Sequence, residues 1–293
     1  MKKNDTIKVC LIGAGRRGTQ LTRQLNSFSG KVKLVAVADP RVDVRSVIAN
    51  EFSLPAESCF AGWEELMRSG IPCDAAIIAT LDNQHTGPVL ASLEQGWDIL
   101  LEKPVADSFE DVQRIEKARE SSGRIISVCQ TLRYKNNFRK VKELVEEGLI
   151  GDVVTMDHLE GIGNIRFTHN YVRGKWGRVE DNTFLLLHKS SHDLDFISWI
   201  IKKPCLRVSS YGGLKYFQPE NAPKRAALRC TDACPTEESC IYSALKLYVN
   251  TDRLAWPANT VSTDHSIQSH LDAINTGPFG KCVWKSGNNV VDH

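Results

Sequence analysis

Three features of the first 130 residues predict a doubly wound α/β domain on a parallel sheet. They are short apolar runs, helical patterns filling the gaps, and a glycine-rich turn after the first run. The runs are Ile7–Ile12, Val32–Ala38, Ala75–Ala79, Trp97–Leu101 and Ile125–Val128. Each is nearly continuous rather than alternating, as parallel strands covered on both faces should be. The clearest helix runs from Phe109 to about Ser121. Ser108 and Asp111 form its capping box, Val112 and Ile115 share a face, and Gly123 stops it. After about Gln130 the strand–helix rhythm is lost, which sets two domains, 1–130 and 131–293. "FRKVKELVEEGLIG" adds an amphipathic helix (Phe138, Val141, Leu144, Val145) ending at Gly148, and an apolar helix follows near Phe184–Ile201.

Composition narrows the class. Hydrophobic residues are 42% and charged residues 25% of the 293, a globular balance. Lys+Arg is 37 against Asp+Glu 35, so no charge excess draws the chain to nucleic acid or an acidic membrane. The apolar run after "MKKNDT" is too short for a signal peptide, and no window approaches a membrane span. Nine cysteines, with Cys10, Cys59, Cys73 and Cys129 in or beside the expected core, fit buried thiols in the cytoplasm better than a disulfide framework.

"VCLIGAGRRGTQL" places Gly13, Gly15 and Gly18 as G-x-G-x-x-G between the first strand and a helix. Gly13 allows the tight turn, Gly15 lets backbone approach a pyrophosphate, and Gly18 lets the helix pack on the sheet. Ala14, Arg16 and Arg17 complete the loop, whose N–H groups and helix dipole face the phosphates. Asp39 closes the second strand twenty-one residues after Gly18, where an acid holds an adenosine ribose. A carboxylate favours NAD, while Arg41 and Arg16 leave NADP open. Thr80, Asn83 and His85 follow the next strand at its carboxyl end, where open α/β sheets bind ligands. The strand after that leads into Glu102-Lys103-Pro104. Pro104 restricts Lys103 to an extended backbone, and the Lys–Pro bond could be cis.

At these residues the chain resembles the glucose–fructose oxidoreductase/inositol dehydrogenase family (Gfo/Idh/MocA), which joins a GxGxxG Rossmann domain, an E-K-P tripeptide and a C-terminal α+β domain. The resemblance implies that this second domain carries a large open, mostly antiparallel sheet through which copies associate. It implies that Lys103 borders nicotinamide and substrate and helps move a hydroxyl proton, with Glu102 beside it. It implies a sugar, cyclitol or similar polyol as substrate. The family's D-x-x-x-H-x-x-D pattern maps onto "HKSSHDLD". His192 and Asp195 match it, while His188 stands where the first Asp belongs, with Lys189 beside it on the substrate side. His192 is therefore read as an acid/base or substrate contact, against a packed helix face or a metal site formed with His188 and Asp195. Arg133 and Tyr134 in "TLRYKNNF" are either substrate contacts or hinge residues. An NAD-dependent glycosidase or lyase that cleaves glycosidic bonds through transient oxidation, as some relatives do, and a non-catalytic nucleotide-binding regulator are the competing functions.

Two further expectations come from the second half. Cys230, Cys234 and Cys240, with Cys282 or Cys205 as a fourth, could form a structural zinc site, though their spacing is looser than paired C-x₂-C knuckles. Relatives continue beyond "NNVVDH", so the second sheet is expected to be incomplete here, with the segment after about residue 205 loosely packed or covered by a partner subunit.

Overall fold

A computed structural model describes residues 6–28 and 30–293. The chain divides into two compact units, Met1–Arg139 and Lys140–His293.

The first unit holds a six-stranded sheet in the order β3-β2-β1-β4-β5-β6. The strands are β1 (Ile7–Ile12), β2 (Val32–Ala38), β3 (Cys59–Phe60), β4 (Ala75–Ile78), β5 (Asp98–Leu101) and β6 (Ile126–Val128). Every pairing is parallel. Helices α1 (Arg16–Arg23), α2 (Val42–Glu51), α3 (Trp63–Arg68), α4 (Thr86–Glu94) and α5 (Phe109–Ser122) supply the connections. This is the expected doubly wound order, reversing direction between β1 and β4. β3 was not foreseen, because two residues carry no periodicity.

Alternation along β1 explains why its run is wholly apolar. Cys10 and Ile12 enter one core with Ala36, Ile78 and Leu101, while Val9 and Leu11 enter another with Val37, Ile48 and Ile77. Fully burying a side chain such as Leu11 or Ile12 stabilises by about 1.5–3 kcal/mol. The α5 signals act as read: Ser108 accepts from the Asp111 N–H at 3.1 Å, and Gly123 ends the helix at φ 65°.

Register aligns the strand ends. Ile12 pairs with Ala38 and Ile78, and Leu101 with Ile78 and Val128. The next residues, Gly13, Asp39, Ala79, Glu102 and Cys129, therefore form one row along the carboxyl edge. Backbone bonds continue into it: Gly13 N–H to Ala38 O at 2.8 Å, Ala79 N–H to Ile12 O at 2.8 Å, and Glu102 N–H to Ile78 O at 2.9 Å.

Helix α6 (Asn136–Glu146) bridges the division, and the second unit adds α7 (Asn164–Phe167), α8 (Leu185–Ile201) and α9 (Ile267–Thr276). Among the described residues this unit contains no β-strand, only an isolated antiparallel bridge between Arg229 and Lys281. The expected large antiparallel sheet is not seen among these residues. Residues 152–163 and 203–211 run without ladder partners, leaving Val154, Leu159, Leu206, Val208 and Tyr211 between 80% and 95% exposed. A strand needs a neighbour for its backbone, and no ladder forms here, although His158 and Ile162 still pack, against Phe196 and the cluster around Phe167.

Loose packing after residue 205 holds only for that exposed stretch. Farther on, Phe217, Tyr242, Val283 and Trp284 join Phe167 and Tyr171 in one cluster, and Tyr248 and Ile274 are wholly buried in another. The final residues are tied down as well. The Asp292 carboxylate accepts from the N–H groups of Lys215, Tyr216 and Phe217 at 2.7–2.9 Å.

Candidate functional site

The glycine loop opens the carboxyl edge. Gly13 has φ +89°, and a Cβ there would meet the Ala79 carbonyl at 2.6 Å. A Cβ on Gly18 would stand 2.0 Å from the Gly13 oxygen, so the first turn of α1 can cross β1 only without a side chain. Gly15 differs: the nearest atom to a Cβ would be Arg41 Nη2 at 3.5 Å, in ordinary contact. Its bareness is not needed for packing, and it leaves the backbone open to a close ligand. Gly15 caps α1, whose first N–H groups have no intrahelical acceptor. Open backbone, free donors and a helix dipole fit a dinucleotide pyrophosphate.

Ala14 and Asp39 are bound to each other. The Ala14 N–H donates to Asp39 Oδ2 at 2.8 Å, and Arg41 clamps the same carboxylate through Nε and Nη2 at 3.0 and 2.9 Å. Burial alone would raise the Asp39 carboxyl. The Arg41 side chain and the N–H groups of Arg41 and Ala14 instead hold it below the usual carboxylate range. Arg16 is exposed on the loop.

The Glu102-Lys103-Pro104 turn is gripped from two sides, and its Lys103–Pro104 bond is cis. Buried Glu102 takes an ion pair from Arg17 of α1, which fastens this turn to the glycine loop. A second Glu102 oxygen accepts the Lys103 N–H at 3.2 Å. On the other side His85, 1% exposed, holds the Pro104 carbonyl through Nδ1 at 2.7 Å. A carbonyl only accepts, so Nδ1 carries the proton. Burial lowers the imidazole pKa, against the pull of the Pro104 carbonyl and the Asp82 and Glu102 charges. His85 thus supports the lysine turn instead of lining open space. Asn83 is exposed, and Thr80 bonds the Gln84 carbonyl at 3.1 Å. Cys129, the last residue in the row, has its thiol pushed up to about 12 by burial, with the Glu102 charge adding to the shift. Arg133 and Tyr134 lie on a short turn, Thr131–Tyr134, with Tyr134 exposed.

In the second unit α8 carries the other candidates. His192 is half-buried, and Lys189 is paired with Glu160 from the extended segment. His188 is buried against Trp176, ring centroids 4.3 Å apart, and against Tyr171 at 5.8 Å. Aromatic packing accounts for a histidine there. Sequence reading missed one pair: His158 Nε2 lies 2.8 Å from Asp193 Oδ1. Asp193 is adjacent to His192, but nothing in the spacing linked it to a histidine 35 residues upstream.

Cys230, Cys234, Cys240 and Cys282 do line one cavity together with Arg173. Cys205 is exposed and bonds the Arg207 carbonyl. Among the described residues, however, no three His, Cys, Asp or Glu side chains are arranged to hold a metal ion. Neither the cysteine zinc site nor the His188, His192, Asp195 site has the required geometry. Among the described residues, no helix is long and apolar enough to cross a membrane.

Residues 7–130 match the model of the GFO_IDH_MocA family, described as an oxidoreductase family with a NAD-binding Rossmann fold. YteT of Bacillus subtilis, an oxidoreductase by its name, is 29% identical over 61% of this chain and 42% of its own. The inositol 2-dehydrogenase/D-chiro-inositol 3-dehydrogenase of Shouchella clausii is 26% identical over 67% of this chain and 53% of its own. The 2,7-anhydro-N-acetylneuraminate hydratase of Mediterraneibacter gnavus is 24% identical over 73% and 54%. The chain therefore spans about half the length of the curated relatives it matches. Among solved structures, the myo-inositol 2-dehydrogenase of Lactobacillus plantarum superposes with a TM-score of 0.61 at 24% identity, over 68% of this chain and 57% of that one. At that identity the likeness shows the fold.

Proposed function

Because residues 7–130 match the model of the Gfo/Idh/MocA family of NAD-binding oxidoreductases, we propose that the protein transfers hydride between a nicotinamide cofactor and a hydroxyl-bearing carbon of a sugar, cyclitol or related polyol. One observation carries this reading. The lysine turn is tied to the glycine loop through Arg17–Glu102 and backed by His85–Pro104, on the edge where such sheets bind ligands. That bracing holds the backbone of an ammonium-bearing residue rigid, as general acid–base work requires.

The bound dinucleotide would supply the hydride acceptor. The chain's own part is to seat the pyrophosphate on Gly13–Gly18 and to give or take the hydroxyl proton at Lys103 Nζ. His192 is the second proton-handling group in this reading, with Lys189, Arg133 and Tyr134 as substrate contacts. The names of inositol dehydrogenase relatives support a cyclitol or sugar as substrate. The nine unpaired cysteines support a reducing, cytoplasmic setting. The exposed apolar residues of 152–163 and 203–211, Val154, Leu159, Leu206, Val208 and Tyr211, support the view that these segments are strands of an antiparallel sheet when the protein is assembled, as a homo-oligomer.

A second reading, in which the cofactor would be reduced and reoxidised within one turnover, is favoured by relatives named hydratases. Incubation of purified protein with NAD and a panel of inositols and sugars separates the two. Net nicotinamide reduction supports the dehydrogenase. Substrate conversion without it supports the hydratase-like reaction. Failure to bind any nicotinamide dinucleotide overturns both.

A further inference from the structure

The adenosine end of the dinucleotide site presents a donor where the sequence suggested an acceptor. Asp39 Oδ1 accepts from the Arg41 N–H and Arg41 Nε, both at 3.0 Å, and Oδ2 from the Ala14 N–H at 2.8 Å and Arg41 Nη2 at 2.9 Å. A carboxylate offers about four lone-pair sites, so all are used. Asp39 is also only 3% exposed. A ribose hydroxyl binds a carboxylate by donating into a lone pair, and while Arg41 holds Asp39 no lone pair is left to take it.

What faces outward is the guanidinium. The Arg41 side chain is 57% exposed, and Nη2 would stand 3.5 Å from a Cβ on Gly15, beside the pyrophosphate loop. Arg45 bonds the Asp39 carbonyl oxygen and adds a second positive charge. The opposing charges are Asp39, neutralised by its clamp, and Asp43 in the first turn of α2. A planar donor fork held by its own carboxylate suits an acceptor-only anion.

We propose that Arg41, anchored by Asp39, is the residue that meets the 2′ position of the adenosine ribose, and that it lets the site take NADP(H) as well as NAD(H). The proposal rests on the reading of this edge as a nicotinamide dinucleotide site. NAD(H) remains a ligand, because a 2′-hydroxyl oxygen can accept from the same fork.

The test is equilibrium titration of the full chain with NADH and NADPH at fixed ionic strength, for wild type and Arg41→Ala. In wild type the two dissociation constants should agree within roughly thirtyfold. Arg41→Ala should weaken NADPH by about 10- to 100-fold. NADH should stay within about threefold, or tighten as Asp39 regains lone pairs. Arg41→Lys, which keeps the charge but not the fork, should fall between. Because Arg41→Ala also leaves buried Asp39 without its counter-charge, circular dichroism and thermal melting check the fold, and Arg41→Lys keeps a charge beside Asp39. NADH binding with NADPH more than about thirtyfold weaker in wild type overturns the proposal. So does an equal loss of both ligands in Arg41→Ala. If the folded wild type binds neither dinucleotide, the reading of the site itself fails, and the proposal falls with it.

Discussion

His85 and Pro104, nineteen residues apart, are joined by a buried hydrogen bond of 2.7 Å from the imidazole Nδ1 to the prolyl carbonyl. The bond links the loop after β4 to the turn after β5. It makes the position of Lys103 depend on a residue that sequence reading placed at the cofactor. His85→Ala should lower kcat severalfold while leaving dinucleotide affinity nearly unchanged. It should also cost about 2–4 kcal/mol of stability, from a cavity and an unpaired carbonyl. A large loss of cofactor affinity with unchanged stability would return His85 to the binding surface.

The same ring gives a pH dependence. Burial depresses its pKa below the ordinary 6.5, so below that pH the unfolded chain takes up a proton that the folded chain refuses. The contribution of His85 is therefore fully present above pH ~6.5 and is lost as the pH falls. Denaturant midpoints measured downward from neutrality should drop more steeply for wild type than for His85→Gln. Parallel slopes would contradict this assignment.

The three loop glycines should separate by experiment. Gly13→Ala and Gly18→Ala force contacts of 2.6 and 2.0 Å with backbone, so both should fold poorly or lose several kcal/mol. Gly15→Ala meets nothing closer than 3.5 Å and should keep its melting temperature while losing dinucleotide binding. A Gly15→Ala protein with wild-type affinity would mean that the cofactor does not approach this backbone.

Arg17 and Glu102 should couple. Removing Arg17 leaves a nearly buried carboxylate without its counter-charge, so Arg17→Met is expected to destabilise by about 1–3 kcal/mol. The double variant Arg17→Met/Glu102→Gln should recover part of that loss. Strict additivity in the cycle would show that the pair does not hold the two loops together.

Lys103→Met should abolish turnover with cofactor affinity within a few-fold, since its place is beyond the pyrophosphate loop. His192→Ala should act in the same direction. Full turnover in both variants on a confirmed substrate would sink the proton-handling roles.

Much of the first unit was legible because its determinants are local. Five apolar runs, a capping box and a glycine loop each act within a dozen residues, and a parallel sheet follows from their alternation. The two-residue strand β3 was not legible, having too few positions to show a period. In the second unit the helix α8 was read nearly to its ends, but the sheet inferred around it was not found. Exposed apolar residues at 152–163 and 203–211, among them Val154, Leu159, Leu206 and Val208, have no strand beside them, and residue type alone does not supply one.

The site divides in the same way. Sequence by itself determined that a dinucleotide loop, an acid at the end of β2 and a lysine turn would stand on one sheet edge, because parallel register carries every strand's carboxyl end to the same side. Tertiary structure decided what each group does there. It engaged Asp39 with Arg41 and Ala14, and turned His85 inward to Pro104. It fastened Glu102 to Arg17, and packed His188 between Trp176 and Tyr171. These partners lie between 2 and 85 residues away along the chain. A buried polar group must be satisfied by whatever the fold brings beside it, and residue type and spacing do not specify that neighbour.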